Sequence, residues 1–169
     1  MSTLRKEAHM KVRHAVLVAL AAAVTLTSAA AAGPDAAKQR VALASHGAGA
    51  NPNAAKFALT PLQAGTLKRD SGTGSAVLSD ERVVMREGQR VAIYDSIVET
   101  FKGKLGTLVI RSRIEYVEAG SGYHVGTGTW KVVRGTGQYA RIAGGGRRGD
   151  VYLDSGPWSG RNEGFLTLP

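Results

Sequence analysis

The sequence predicts an all-β protein: a single antiparallel eight-stranded β-barrel that follows a signal peptide and a flexible linker. From Lys56 onward, Val, Ile, Thr and aromatic residues alternate with polar residues, which is the pattern of half-buried strands. Glycine-containing turns recur at short intervals, and no long helical pattern interrupts them. Short links favour strands that pair in sequence order, and closing eight of them into a ring removes the exposed edges.

Residues 1–32 have the order of a secretory signal peptide. Lys11 and Arg13 provide the basic region, residues 15–26 form an apolar run, and small residues end it, with a cleavage site after Ala32. The apolar run is shorter than the ~20 residues that a membrane-spanning helix needs. We therefore predict a secreted or periplasmic protein that has no transmembrane segment in its mature form.

Residues 33–55 are rich in Ala, Gly, Asn and Pro and lack sustained periodicity, so we expect a flexible linker there. The barrel domain follows as residues 56–169, and a single helical turn is expected within 136–143. The predicted strands are 56–63, 72–78, 81–86, 90–101, 104–118, 123–134, 145–153 and 158–168.

Two turns decide which side chains of the central strands point inward. A two-residue turn at Lys102-Gly103 would place Ile97 opposite Leu108, and a three-residue glycine turn would place Ser112 opposite Trp130. Side chains alternate between the two faces of a strand, so both turns send one set of side chains to the core. That inward set is Val91, Ile93, Asp95, Ile97, Glu99, Phe101, Leu108, Ile110, Ser112, Ile114, Tyr116, His124, Trp130 and Val132.

Composition excludes several kinds of site. The chain has no cysteine, so a thiol nucleophile, a disulfide and a cysteine-based metal site are impossible. Of its four histidines only His124 falls in the barrel domain, and one histidine with distant carboxylates makes no recognisable metal site. The net charge of +9 comes from scattered basic residues without interleaved aromatics. We therefore predict no metal, no cofactor and no specific nucleic-acid partner, and leave open a contact between the basic exterior and an anionic surface.

Residues 135–140 read Gly-Thr-Gly-Gln-Tyr-Ala and match the G-x-G-x-x-A pattern of dinucleotide-binding loops. That loop requires a following helix inside a βαβ unit, because the helix N-terminus binds the pyrophosphate. Here three glycines, 144–146, follow after a few residues, and the surrounding chain reads as strands. The motif is therefore interpreted as a turn, with Tyr139 plugging the end of the barrel.

The same stretch resembles the late turn of the allene oxide cyclase and dirigent-like barrels, which carry G-G-T-G-x-(Tyr/Phe) in an eight-stranded antiparallel barrel. Here Arg134 takes the place of the first glycine, and Gly144 matches a downstream glycine. The further matching runs are 103–108, 126–133 and 163–165, and the resemblance covers 56–168. It is closest to exported bacterial members of that superfamily. The resemblance implies catalysis of the isomerase or cyclase kind inside the barrel, and a homo-oligomer formed through the outer wall.

Two carboxylates, Asp95 and Glu99, lie four residues apart on the inward face. A pocket raises the pKa of a carboxyl group and suits it to acid–base catalysis. In the alternative, one or both are bonded to Ser, Tyr or Arg at the barrel mouth and take no part in chemistry. Tyr116 and His124 share the inward face and are the candidate polar partners of a catalytic carboxylate.

A ligand site is predicted where small residues leave space on the inward face. Gly126 and Gly128 have no side chains, and Ser112 and Trp130 lie beside them. Either a small apolar ligand fills the gap or Trp130 folds into it, because the side chains of an eight-stranded barrel just fill its interior. The sequence thus leaves two functions open: a small apolar-ligand-binding or structural module, and the isomerase- or cyclase-type enzyme that the resemblance implies.

Overall fold

The computed structural model describes residues 37–49, 54–120 and 122–169. Each strand in this part of the chain pairs antiparallel with its sequence neighbours, and the first strand also pairs with the last, so the sheet closes into a barrel. The predicted all-β fold with eight strands is confirmed. The predicted signal peptide, 1–32, lies outside the described residues. The elements are β1 (Lys38–Gly47), β2 (Ala55–Pro61), β3 (Asp70–Arg86), β4 (Gln89–Gly103), β5 (Thr107–Gly120), β6 (Tyr123–Gly135), the 3₁₀ turn η1 (Gly137–Tyr139), β7 (Ala143–Leu153) and β8 (Trp158–Thr167).

The prediction of a flexible linker over 33–55 is wrong where β1 runs. Lys38–Gly47 pairs along its whole length with β8 and over six residues with β2. The inward-facing apolar residues of β1 are Val41 and Leu43, so the alternation is too short to stand out in an alanine-rich stretch. The strand is held by partners that are distant in sequence, and a local pattern carries no information about them.

The strand count of eight is right, although two of the predicted strands are one. The predicted strands 72–78 and 81–86 are parts of β3, which continues through an irregularity in its pairing with β4 between Leu78 and Asp80. The Ser79 hydroxyl donates a hydrogen bond of 2.7 Å to the carbonyl oxygen of Ser96 at this bulge. A bulge adds a residue without ending the strand, and its Ser-Asp pair imitates a turn in the sequence.

The β4–β5 hairpin differs from its predicted register by four residues. Leu108 pairs with Phe101 instead of Ile97, because four residues, 103–106, separate the last pair of the hairpin, Lys102 and Thr107, where a two-residue turn was predicted. A shift by an even number of residues leaves every side chain on the face predicted for it. The predicted set of inward-facing side chains is therefore largely correct, but the predicted positions of the β4 residues relative to β5 along the barrel axis are wrong.

The lumen is packed with apolar side chains at one end. Trp130 is 3% exposed in this packed end, lies opposite Ser112 as predicted, and donates its indole N–H to the carbonyl oxygen of Glu163 (3.3 Å). Burial of this cluster provides the main stabilisation of a domain without disulfides. Its members are Val41, Leu43, Phe57, Leu59, Leu67, Phe101, Leu108, Ile110, Trp130, Tyr139, Ile142 and Leu166.

Residues 135–140 form the predicted turn, and Tyr139 closes the packed end. The Tyr139 ring is fully buried, and its hydroxyl donates a hydrogen bond of 2.8 Å to the Asp70 carboxylate, which also accepts backbone N–H groups of the 103–106 loop. Burial and this hydrogen bond raise the pKa of Tyr139. Gly137 has a φ of +60°, and a side chain there would strike the carbonyl of Leu105. The glycines of the motif thus serve closure of the barrel.

Candidate functional site

A buried polar network crosses the lumen next to the packed end, and it contains Glu99. Glu99 is 2% exposed and forms an ion pair with Arg148 of β7. The Ser112 hydroxyl donates to Glu99 Oε2 (3.1 Å), and Arg148 also donates from Nε to Asp150 Oδ2 (2.7 Å). The Glu99 carboxylate is therefore bonded to Arg and Ser, as in the second alternative, but it lies deep in the lumen and not at the barrel mouth.

Arg148 is the centre of this network and has no role in the sequence-based site. Burial lowers the pKa of Arg148, but the carboxylates of Glu99 and Asp150 raise it by more, so the guanidinium stays charged. In the sequence Arg148 reads as half of a basic surface pair with Arg147. The strand periodicity of β7 separates the two, because Arg147 is exposed and Arg148 is buried.

A cavity of about 370 Å³ opens at the other end of the lumen. Three of the four predicted catalytic residues, Asp95, Tyr116 and His124, share its wall, and Glu99 does not. The alternation of inward and outward side chains was sufficient to predict that these three residues share one surface. They lie on three consecutive strands, β4, β5 and β6, and each was correctly assigned to the inward face. The lining of this open-end cavity is Glu81, Arg90, Ile93, Asp95, Tyr116, His124, Tyr152 and Asp154.

Asp95 is the open-end residue whose hydrogen bonding is incomplete. Its Oδ1 is buried and has no hydrogen-bond partner within the described part of the chain. Burial raises the pKa of Asp95, and the charge of Glu81, directly across on β3, raises it further. A buried acceptor without a partner is costly, so this position favours a proton on the carboxyl group or a donor from a bound molecule.

Tyr116 and His124 flank Asp95 in the cavity with their own partners. The Tyr116 hydroxyl donates to Asp150 Oδ2 (3.3 Å), and burial, followed by the Asp150 charge, raises the pKa of Tyr116. His124 Nε2 lies 3.0 Å from Asp154 Oδ1, and this carboxylate is 62% exposed at the mouth. Tyr116 therefore keeps its proton, and the His124 ring has one nitrogen oriented by an acid.

The predicted ligand residues lie under the Tyr116 ring or deeper in the lumen. A side chain at Gly126 would collide with the Tyr116 ring, and one at Gly128 would strike the backbone carbonyl of Arg113. Ser112 is fully buried against Glu99, and Trp130 belongs to the packed end. The space expected over the two glycines is filled by the Tyr116 and Ile114 side chains at Gly126 and by the β5 backbone at Gly128, and open space lies nearer the mouth.

Within 37–49, 54–120 and 122–169, no cluster of three or more His, Asp or Glu side chains is arranged to hold a metal ion. The same part of the chain contains no helix that is long and apolar enough to cross a membrane.

Fold and site together define a class: a closed eight-stranded antiparallel β-barrel with one packed end, a buried ion-pair layer and an acidic cavity at the opposite end. No family model matches the chain, and comparisons with curated proteins and with solved structures also found no match.

We expect Asp95→Asn to raise stability at neutral pH and to have no such effect in acid. The folded-state pKa of Asp95 lies above its ordinary value of 3.8, so the folded protein holds this proton more tightly than the unfolded chain. Stability of the parent protein should therefore fall as pH rises from 3.8 through the folded pKa, and the asparagine variant lacks that loss. Thermal unfolding near pH 7 and near pH 3 measures the difference. Asp80→Asn, which removes an exposed carboxylate of β3, is the control. Equal shifts in the two variants at both pH values would contradict the assignment.

Proposed function

We propose that the protein binds a small molecule in the open-end cavity. The observation that carries this proposal is the buried Asp95 oxygen without a partner, because such an acceptor is normally satisfied by a bound group or an ordered water. The volume of about 370 Å³ falls in the range of about 300–1,000 Å³ that small-molecule sites occupy. Ile93 and the Tyr152 ring offer apolar contact beside the polar groups.

The lining indicates the chemistry of the ligand. Glu81, Asp95 and Asp154 bring three carboxyl groups to the cavity, against the single guanidinium of Arg90. An anionic molecule would be repelled, so the ligand is neutral or cationic, with an apolar part and at least one hydrogen-bond donor that reaches Asp95. The proposed ligand therefore differs from the apolar ligand predicted from the sequence in having one polar group that donates a hydrogen bond.

Filling the cavity should abolish ligand binding. Ile93→Trp adds bulk to the cavity wall, whereas Val98→Trp adds the same bulk to the outward face of the same strand. Native mass spectrometry of protein purified from its own host should show a small-molecule adduct on the parent protein and on Val98→Trp, and none on Ile93→Trp. A parent protein without an adduct, or an adduct that survives in Ile93→Trp, would count against the proposal.

A second candidate function is acid–base catalysis of an isomerisation or cyclisation in the same cavity. It is favoured by Asp95, whose pKa is raised by burial and by the charge of Glu81, with the Tyr116 hydroxyl and the His124 ring beside it. Such reactions rearrange bonds within one molecule and need a group that gives and takes a proton. Asp95→Asn separates the two functions: an enzyme loses turnover of the co-purifying molecule while still binding it, and a binding module shows no turnover in either protein.

We further propose that the protein is exported and that it belongs among the allene oxide cyclase and dirigent-like barrels. The support for export is the basic, apolar and small-residue order of 1–32, and the support for the relationship is the Gly-Thr-Gly-Gln-Tyr turn in an eight-stranded barrel. Amino-terminal sequencing of the mature protein should begin at Gly33. A mature chain that begins within the first ten residues would contradict export by this signal.

A further inference from the structure

The outer wall carries a groove of about 610 Å³, and Asp95 is the one lining residue that this groove shares with the open-end cavity. It runs across five neighbouring strands, β3 to β7, along two adjacent rows of paired residues. Adjacent strands are about 4.8 Å apart, so the groove is about 19 Å long. One row is Asp80, Ser96, Arg113, Thr129 and Arg147, and the other is Arg82, Tyr94, Glu115 and Thr127. The inward-facing residues Asp95, Ile114, Gly128 and Arg148 lie between the two rows and complete the lining.

The part of this outer-wall groove on β5, β6 and β7 is strongly basic. Arg113 and Arg147 lie two strands apart in the groove, with Thr129 between them. Arg111 and Lys131 pair in the next row and extend the positive surface. These four cations are exposed, and none forms an ion pair with the described residues.

Two of the neighbouring acids, Glu115 and Glu163, have other partners, and Asp80 lies at the β3 end of the groove. Glu115 accepts a hydrogen bond of 2.8 Å from the Tyr94 hydroxyl. Glu163, which is opposite Arg147 on β8, binds Arg161 (2.7 Å) and Arg40 (3.3 Å). The arginines of the groove therefore keep their capacity to bind an anion bidentately.

We propose that this groove binds an anionic polysaccharide chain. Carboxylate or sulfate groups on the chain pair with Arg113 and Arg147, and the sugar hydroxyls bond to the Thr127 and Thr129 side chains between them. The elongated, recessed shape admits a linear chain and fits a flat bilayer poorly. The single aromatic in the groove, Tyr94, has the Arg82 guanidinium 4.7 Å from its ring centre, so it offers no free platform for the stacked bases of a nucleic acid.

Binding to two polysaccharides of different anionic chemistry tests the proposal: heparin, which is sulfated, and polygalacturonate, which is carboxylated. The Arg113→Ala/Arg147→Ala variant should lose about tenfold or more in affinity for whichever chain the parent protein binds, since two charged hydrogen-bonding groups are removed. Arg69→Ala/Arg86→Ala removes the same charge from exposed positions outside the groove and should change affinity less than about threefold. Isothermal titration calorimetry gives both values.

Two further ligands distinguish other partners: phosphatidylglycerol vesicles and a single-stranded oligonucleotide. The proposal predicts that the parent protein binds at least one polysaccharide more tightly than either of these. Tighter binding to vesicles or to the oligonucleotide would overturn it, as would equal losses in the two double variants, which indicate diffuse charge attraction. Matching melting temperatures of the two variants establish that the groove variant is folded. None of these outcomes bears on ligand binding in the open-end cavity.

Discussion

Arg148→Met should reduce the free energy of unfolding by about 3–5 kcal/mol, because it removes the cation that neutralises two buried carboxylates. Glu99 and Asp150 would remain in the lumen without a counter-charge, and the Ser112 hydroxyl would lose one of its two partners. Methionine fills much of the arginine volume, so the loss reflects charge more than packing. Urea unfolding followed by circular dichroism measures the change.

The adjacent residue of β7 provides the control. Arg147 is exposed and points outward, so Arg147→Met should change stability by no more than about 0.5 kcal/mol. The double variant Glu99→Gln/Arg148→Met removes one of the two uncompensated charges, and we expect it to be more stable than Arg148→Met alone. If Arg148→Met proves as stable as Arg147→Met, the ion pair does not stabilise the barrel.

Tyr139→Ala should cost about 3–5 kcal/mol of stability, since it empties a fully buried position at the packed end of the barrel. Tyr139→Phe keeps the ring and removes only the hydroxyl, so it should cost about 1–3 kcal/mol. That loss comes from the Asp70 carboxylate, which loses its buried donor but keeps the backbone N–H groups of the 103–106 loop. Gln138→Ala, one residue away and exposed, is the matched control. A Tyr139→Ala variant no less stable than the control would show that the turn does not close the barrel.

The fold class was predictable because it depends on local patterns that the chain repeats. Alternation of polar and apolar residues identifies strands, and recurrent glycine turns identify their connections. β1 was not predictable in the same way, because its short alternation becomes a strand only through pairing with β8, more than a hundred residues away. At the bulge in β3 the sequence predicted a break where the strand continues, because Ser79 and Asp80 are residues typical of a turn.

The sequence predicts which side chains of the candidate site point into the barrel, but not how far along the barrel axis each one lies. Asp95, Tyr116 and His124 reach the cavity because the side-chain period of a strand is two, and an even error in a loop length does not alter it. Which inward residues are packed and which are open depends on where each strand lies along the barrel, and that requires the exact loop length. The inward position of Arg148 was not predicted, because β7 is rich in glycine. No apolar alternation therefore indicates which of Arg147 and Arg148 points inward.

Lys38 at the start of β1 pairs with Thr167 at the end of β8, so the two ends of the folded domain are neighbours. One edge of β1 pairs with β2, and the other edge is covered only when β8 is in place. During synthesis every incomplete chain presents two bare strand edges, which are templates for pairing with another molecule. The ring cannot close without β8, so chains cut short before β8 are expected to aggregate.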